Sequence, residues 1–413
     1  MSFFGSLQKT SHKTPVLIFD IGGTSVGAAL VLLAAGEKPY IVHTAREWLR
    51  PMEEVSLSRL VGLLEAGIDS VSKDVLALGA RRLAAIGYGG ALPRTVHCFI
   101  TAPWYVPHMG TVRIAGENTF KVTQEMFARA IDEEKKSIEK KFGVAKNESA
   151  FAEAKAGEGG STVSVMENQI LSCAVNGYAT ESPYGQHANN VEFLLYTALA
   201  DHAPLASFTA RIGRTFHVAA AEPHSFLLAF FSAIRDSHEA EDDFLLCDMS
   251  GEVTEVSVAR GGVLKASVSF PLGRNFLARA LSTECKLSFE EALSLLAVHA
   301  SSHGNEAFTA RFCGALDAVE RKWMRAFEES VAHIAEESFL PHSIFVAADK
   351  KIAPWVTAAV RNEALYQYTL TAKPFVTNLA DEKTFGAHVA FGPGVAKDAF
   401  LMIDAMFLNK IKS

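Results

Sequence analysis

Apolar residues crowd positions 16–33, V-L-I-F-D-I-G-G-T-S-V-G-A-A-L-V-L-L, and give way only around Asp20 and Gly22-Gly23-Thr24-Ser25. Two such runs on either side of a glycine turn predict a strand, a tight hairpin and a returning strand. Residues 40–48 alternate as a third strand, and residues 56–78 set Leu60, Leu63, Leu64 and Ile68 at helical spacing. Residues 97–104 read as a central strand closed by Pro103. Further on, 123–141 is a charged amphipathic helix, and 169–178 and 191–197 are strands either side of an Asn176-Gly177 turn. Residues 216–228 read as a strand running into a helix, with Pro223 in the first helical turn, where its missing N–H costs nothing. The chain then repeats its opening: the apolar run 244–247, Asp248, the small residues Ser250-Gly251, and a strand through Val258, followed by a Gly261-Gly262 turn. Helical spacing returns over 277–287 and 289–297, a strand over 343–346, and a last apolar helix over 398–413 with Phe400, Ile403, Phe407 and Ile411 on one face.

The first hairpin has the chemistry of a phosphate grip. Gly22 and Gly23 let backbone N–H groups approach an anion, Thr24 and Ser25 add hydroxyl donors, and Asp20 is placed to hold Mg²⁺ or its water shell. The second hairpin offers Asp248, Ser250, Gly251 and Thr254 in the same plan, which points to a duplicated fold. An ordinary hairpin accounts equally for either motif alone.

Composition narrows the field. The 413 residues suit two lobes, and 49% hydrophobic content fills a large core. A net charge of −7 with scattered Lys and Arg gives no basic stripe, which excludes nucleic acid as an expected partner. Cys98, Cys173, Cys247, Cys285 and Cys313 form no C-x-x-C pair and read as buried free thiols in a reducing cytoplasm. No apolar run reaches the roughly twenty residues of a membrane span, and a signal peptide is not expected at the start, so the expected location is cytoplasmic. Residues 1–14 read as a mobile end, or as a short membrane or partner contact through Phe3, Phe4 and Leu7. The Ala/Glu/Gly-rich run 145–160 reads as a solvated linker. His97 and Trp104 read as packing residues, and His217 and His224 find no metal-ligand partner at suitable sequence spacing.

With its two Asp-led hairpins and β-β-β-α-β order, the chain resembles the actin-like ATPase superfamily, in which a nucleotide is clamped between two related lobes. The narrower resemblance is to the FtsA and PilM type of cell-division and type IV pilus assembly protein. It rests on the hairpins, on Asn176-Gly177-Tyr178 with Pro183 and Gly185 before an apolar strand, on Glu222-Pro223, and on Pro271-Leu272-Gly273 before a helix. The resemblance implies an α/β, two-lobed actin-like ATPase fold of two RNase H-like lobes with a small inserted α+β domain of SHS2 type. The expected units are residues 15–109 and 208–240 for the first lobe, 110–207 for the insert, 241–397 for the second lobe and 398–413 for a C-terminal amphipathic helix. It also implies ATP and Mg²⁺ as cofactors: Gly22, Gly23, Thr24, Ser25, Ser250, Gly251 and Thr254 at the phosphates, Asp20 and Asp248 at the metal, Ala347, Ala348 and Lys350 at the adenosine. Glu222 would orient the attacking water, or else cap a helix dipole. Expected partners are proteins of a division or pilus assembly complex, with self-association and contact with the inner face of the cell membrane.

Two departures weaken catalysis. Glu252 stands where the family carries glycine, and a carboxylate at about 4 Å from a phosphate costs roughly 1 to 4 kcal/mol. Ala347-Ala348-Asp349-Lys350-Lys351 replaces a glycine-rich adenosine loop. The leading expectation is an ATP-binding scaffold with slow or absent hydrolysis; the alternatives are a sugar kinase of the same superfamily and a nucleotide-free pseudo-ATPase. The last helix resembles a membrane anchor in kind, but only Gly392-Pro393-Gly394 separates it from the preceding strand, which favours packing on the second lobe.

Overall fold

The computed structural model describes residues 13–50, 52, 56–89, 92–144, 163–301, 312–336, 338–361, 363–370 and 373–412. The expected mobile end and the 145–160 linker therefore lie almost wholly outside the described residues. The first lobe opens with β1 (Thr14–Ile21), β2 (Ser25–Leu33) and β3 (Tyr40–Trp48), consecutive antiparallel strands with Asp20 opposite Gly27 and Ile21 opposite Val26. α1 (Leu57–Asp74), capped by the Ser56 hydroxyl, runs through a π-helical turn (Val75–Gly79) into α2 (Ala80–Ala85), so the helix reaches past residue 78. β4 (Val96–Ile100) then pairs parallel with β1.

The insert comprises β5 (Tyr105–Lys121), α3 (Gln124–Val144), β6 (Val163–Val175), β7 (Tyr178–Ala179) and β8 (His187–Asp201), in a sheet of order β5-β8-β6-β7. Its small core sets Phe127 of α3 on Phe193 of β8, rings stacked at 4.8 Å. Asn176 and Gly177 both take positive φ, the conformation that a two-residue hairpin needs.

α4 (His202–Phe216) and β9 (Glu222–Ser225) return the chain to the first lobe, where β9 forms the far edge beside β4. Residues 222–225 are thus strand, and the helix α5 (Phe226–Ser237) begins only at Phe226. Pro223 sits in a strand, not a first helical turn, because an edge strand has one side on which no N–H is needed. All of residues 226–234 are buried, which suits a helix apolar on every side and wedged between the lobes. Phe231 there stacks on Phe244 of the second lobe, which meets Phe345 edge-on.

The second lobe repeats the plan with β10 (Phe244–Met249), β11 (Thr254–Arg260) and β12 (Val263–Phe270) antiparallel, then α6 (Arg274–Cys285), α7 (Phe289–Ser301) and α8 (Cys313–Ala335). β13 (Ser343–Ala348), parallel to β10, α9 (Ala353–Ala359) and β14 (Val376–Leu379) complete it. Counted within each lobe, both sheets run third, second, first, fourth, fifth strand, so the duplication read from the hairpins extends to the whole sheet. The second core centres on Trp323, which stacks on Phe327 and meets Trp355 edge-on.

After α10 (Glu382–Phe385) the chain leaves this lobe. β15 (Ala390–Phe391) pairs with β3 of the first lobe, and α11 (Ala399–Ile411) packs on β1, β2 and α5. This corrects two expectations: the second lobe ends before residue 390, and the last helix rests on the first lobe. Leu401, Met402, Ile403, Ala405, Phe407 and Leu408 are buried there, so the apolar face proposed for a membrane is spent in the core. Among the described residues, no helix is long and apolar enough to cross a membrane.

Candidate functional site

The two hairpins face each other across the lobes. Asp20, Gly22, Gly23, Thr24 and Ser25 from one lobe and Asp248 and Ser250 from the other line a single cleft, joined by Arg46, Trp48, Thr101, Arg274, Asp349 and Phe400. Gly251 is pressed against the first hairpin: a Cβ on it would stand 2.7 Å from the Gly23 carbonyl oxygen and 2.7 Å from Thr24 Cγ2. The backbones of the two hairpins meet there. The open space is about 30 Å³, room for one or two waters and far below the roughly 300–1,000 Å³ of ordinary small-molecule sites.

Arg46, which points inward from β3, ties the first hairpin shut. Its Nη2 donates to Asp20 Oδ2 at 2.7 Å, its Nη1 to Ser25 Oγ at 2.8 Å, and its Nε and Nη2 to both oxygens of Asp398 at 2.5 and 2.9 Å. The guanidinium also lies over the Phe400 ring at 5.4 Å. A Cβ at Gly27 would stand 2.7 Å from Arg46 Nη2, so a side chain there would displace the guanidinium from this position.

The three carboxyl groups around this arginine divide its charge. Burial pushes Asp398 up, but the charge and hydrogen bonds of Arg46 and the N–H groups of Leu401 and Phe400 outweigh it and hold Asp398 below the usual carboxylate range. Burial wins at Asp20, whose acidity is weakened in spite of Arg46. Asp404 on α11 is fully buried, and burial with the nearby Asp20 raises it well above its ordinary value, which favours the protonated form.

The second lobe closes its side in the same manner. Arg274, at the start of α6, donates to Asp349 Oδ2 at 2.7 Å and stacks on Trp48 of the first lobe at 5.4 Å. Ser250 Oγ, expected at a phosphate, donates to the Ala102 carbonyl across the lobes at 3.0 Å. Thr254 is fully buried; it donates to the Leu272 carbonyl and accepts from Trp323 Nε1, so it faces the core and not the cleft. Glu252, expected to repel a triphosphate, is instead paired with Arg279, whose Nη1 and Nη2 donate to it at 3.0 and 2.6 Å, and accepts from Asn275 Nδ2 at 2.9 Å. In the adenosine region, Ala347 is buried in β13, Ala348 is half-buried, and Lys350 is exposed and paired with Glu382.

Burial pushes Asp248 well above the carboxylate range, with Glu255 and Asp20 adding to it. Glu255 is itself pushed up to about 7 by burial, moderated by hydrogen bonds from Ser267 and from Tyr105, whose hydroxyl also accepts from the Leu227 N–H. Mg²⁺ needs ionised oxygen donors with room for several waters. An arginine-bound Asp20, a desolvated Asp248 and a 30 Å³ gap do not fit it, nor do they fit a nucleoside triphosphate.

Glu222 is not in the cleft. It pairs with His97 across β4–β9, two positions before the level of Asp20, at the outer edge of the sheet, and its side chain is 58% exposed. The carboxylate that does reach the start of α5 is Glu167 of the insert, which accepts from the N–H and hydroxyl of Ser225 at 2.9 and 2.6 Å.

With this geometry, the protein's relatives by structure can be set out. A solved PilM–PilN type IV pilus biogenesis complex superposes with a TM-score of 0.58 over 95% of this chain and 96% of that one, at 14% identity. The chain has the actin-like ATPase fold. Looser matches are a Bacteroides thetaiotaomicron protein with actin-like ATPase fold and unknown function (TM-score 0.38, 8% identity, 97% and 99% covered) and a Balamuthia mandrillaris glucokinase in complex with glucose (TM-score 0.40, 10% identity, 98% and 95% covered). No family model matches the sequence, and no curated protein matches it.

Sequence reasoning missed Arg46, Arg274, Asp349 and Asp398. The signal within reach was Arg46 itself, a cation in a central strand paired with Gly27, whose missing side chain leaves room for it.

Proposed function

We propose that this protein is an actin-like scaffold of the kind that the PilM structure represents, working in an assembly complex through protein contacts of its inserted domain, with its cleft held by its own side chains and not by nucleotide. The observation that carries the reading is the cleft: Asp20 bound by Arg46, the Gly23 and Gly251 backbones in contact, and about 30 Å³ of space. The solved neighbour is a complex of PilM with PilN, which supports a protein partner for the same architecture here. The sugar-kinase reading asks the same cleft to take both a nucleotide and a sugar, and is weaker on the same observation. The test is equilibrium binding of labelled ATP with and without Mg²⁺. The expected result is no Mg²⁺-dependent binding up to high micromolar ATP. Tight Mg²⁺-dependent binding that Asp20→Ala abolishes would overturn the nucleotide-free reading and restore the hairpins as a phosphate site.

A further inference from the structure

At the outer edge of the first lobe, strands β4 and β9 bring together three groups that the cleft does not use. The parallel register sets His97 beside Glu222, and His224 follows Glu222 by two positions, so all three side chains project from one face of the sheet. His97 Nδ1 lies 3.0 Å from His224 Nε2 and 3.4 Å from Glu222 Oε2. The three ligand atoms fall within 4.8 Å of one another. Two imidazoles and a carboxylate bound at about 2.0–2.2 Å around a tetrahedral ion stand roughly 3.3–3.5 Å apart, so the donors need move only by tenths of an ångström to about 1 Å.

The surroundings fix the donors as a metal site requires. Glu167 Oε1 lies 3.1 Å from His224 Nδ1 and takes its proton in a hydrogen bond, which leaves the Nε2 lone pair pointing at His97 and Glu222. A carboxylate behind a ligating histidine is the usual means of setting its tautomer and orientation. The His224 ring is also stacked on Phe99 at 5.1 Å and met edge-on by Phe407 at 5.7 Å, so its direction is set by packing. With its own proton given to Glu167, His224 Nε2 accepts from His97 Nδ1–H at 3.0 Å, so an ion that binds here displaces that proton to solvent or to His97 Nε2, which is buried with no hydrogen-bond partner among the described residues. The exposed Glu222 leaves the remaining coordination positions open to solvent. Lys412 Nζ, 3.9 Å from Glu222, is the cation an incoming ion would replace.

We propose that His97, Glu222 and His224 form a site for a divalent ion of the Zn²⁺ class, joining the edge strand β9 to β4 with solvent completing the coordination. Two imidazoles and one carboxylate favour Zn²⁺, Ni²⁺ or Cu²⁺ over Mg²⁺ and Ca²⁺, which take oxygen donors. The ion would join the edge of the lobe to the insert through Glu167, which contacts both His224 and the start of α5. The site lies apart from the cleft and does not depend on what the cleft binds.

The test uses the full chain, stripped with chelator and titrated with ZnCl₂ by calorimetry, with Co²⁺ absorption as a second readout. One equivalent should bind, raise the Tm, and give Co²⁺ visible bands of tetrahedral intensity. Glu222→Gln, on an exposed side chain that leaves the fold intact, should weaken that equivalent tenfold or more and dim the Co²⁺ bands, and Glu167→Gln should weaken it through His224. Mg²⁺ should leave the Tm unchanged. Zn²⁺ binding of equal affinity in wild type and Glu222→Gln, or no bound equivalent at all, would overturn the proposal.

Discussion

Replacing Arg46 by methionine asks what holds the cleft. Methionine keeps most of the side-chain volume against Phe400 but removes the guanidinium that bonds both Asp398 oxygens, Asp20 and Ser25. Asp20 is already shifted toward its neutral form and can take up a proton. Asp398 cannot do so cheaply: it is the ionised partner, and without Arg46 only N–H groups such as that of Leu401, at 3.2 Å, remain to it. Removing one member of a buried pair costs about 3–5 kcal/mol, a large share of a stability of roughly 5–15 kcal/mol. The sign with pH follows from Asp398. Its lowered folded value contributes stability above the ordinary carboxylate range that is lost as pH falls through it. The deficit of Arg46→Met should therefore be full from pH 7 down to about pH 4 and shrink only below it. Guanidinium unfolding of wild type, Arg46→Met, Asp398→Asn and the double variant closes a thermodynamic cycle. A coupling energy near zero, or an Arg46→Met deficit below about 0.5 kcal/mol at pH 7, would refute the reasoning.

A second titration is buried behind the cleft, in β11. Glu255 is pushed up to about 7 from 4.5, so its contribution is present below pH 4.5 and lost as pH rises through 7; at about 1.4 kcal/mol per unit, the loss is roughly 3 kcal/mol. His97, held near 3, acts in the opposite sense between about pH 3 and 6.5, so the comparison is with Glu255→Gln and not within wild type alone. The stability of wild type relative to that variant should fall from pH 4.5 to 7.5, and a constant difference would reject the assignment. Ending the chain at Lys397 removes Leu401, Met402, Ile403, Phe407 and Leu408 from the core, about 8–15 kcal/mol at 1.5–3 each. The truncated chain should fail to give a cooperative melt, and the whole chain should not sediment with anionic liposomes; a truncated chain of unchanged Tm would return α11 to the role of an anchor.

What was legible in the sequence was local. Asp20-Ile21-Gly22-Gly23 and Asp248-Met249-Ser250-Gly251 announce their hairpins because strand periodicity and turn glycines are short-range signals, and the repeated plan then implies the shared strand order. Glu222-Pro223 misled because proline at a helix start is a common signal, whereas its tolerance in an edge strand depends on where β9 falls in the sheet. The home of α11 was not legible either. It is set by β15, a pair of residues that chooses β3 as its partner, too short to leave a pattern. The closure of the cleft joins residues 20, 46 and 398, and the edge cluster joins 97, 167, 222 and 224; neither has a spacing that periodicity could reveal.

These long-range pairs also decide how the fold treats a nucleotide. A ligand shifts a closed form to an open one only by as much as it prefers the open form. To seat Mg²⁺ on Asp20 and phosphates between the hairpins, Arg46 must release Asp20 and Arg274 must move off Trp48 and Asp349. Each charge-assisted hydrogen bond is worth about 1.5–3 kcal/mol net, so the two together set an opening cost of roughly 3–6 kcal/mol before the backbone contact of Gly23 with Gly251 is counted. A site that would bind ATP at micromolar strength has about 8 kcal/mol to offer. Less the opening cost, it is weakened by about two to four decades, into the range between 0.1 and 10 mM. Across the lobes it is Arg274 over Trp48 and Ser250 on the Ala102 carbonyl that hold the hairpins together, while Arg46 keeps Asp20 engaged within the first lobe, so the chain's own side chains occupy the contacts that a nucleotide would have to win.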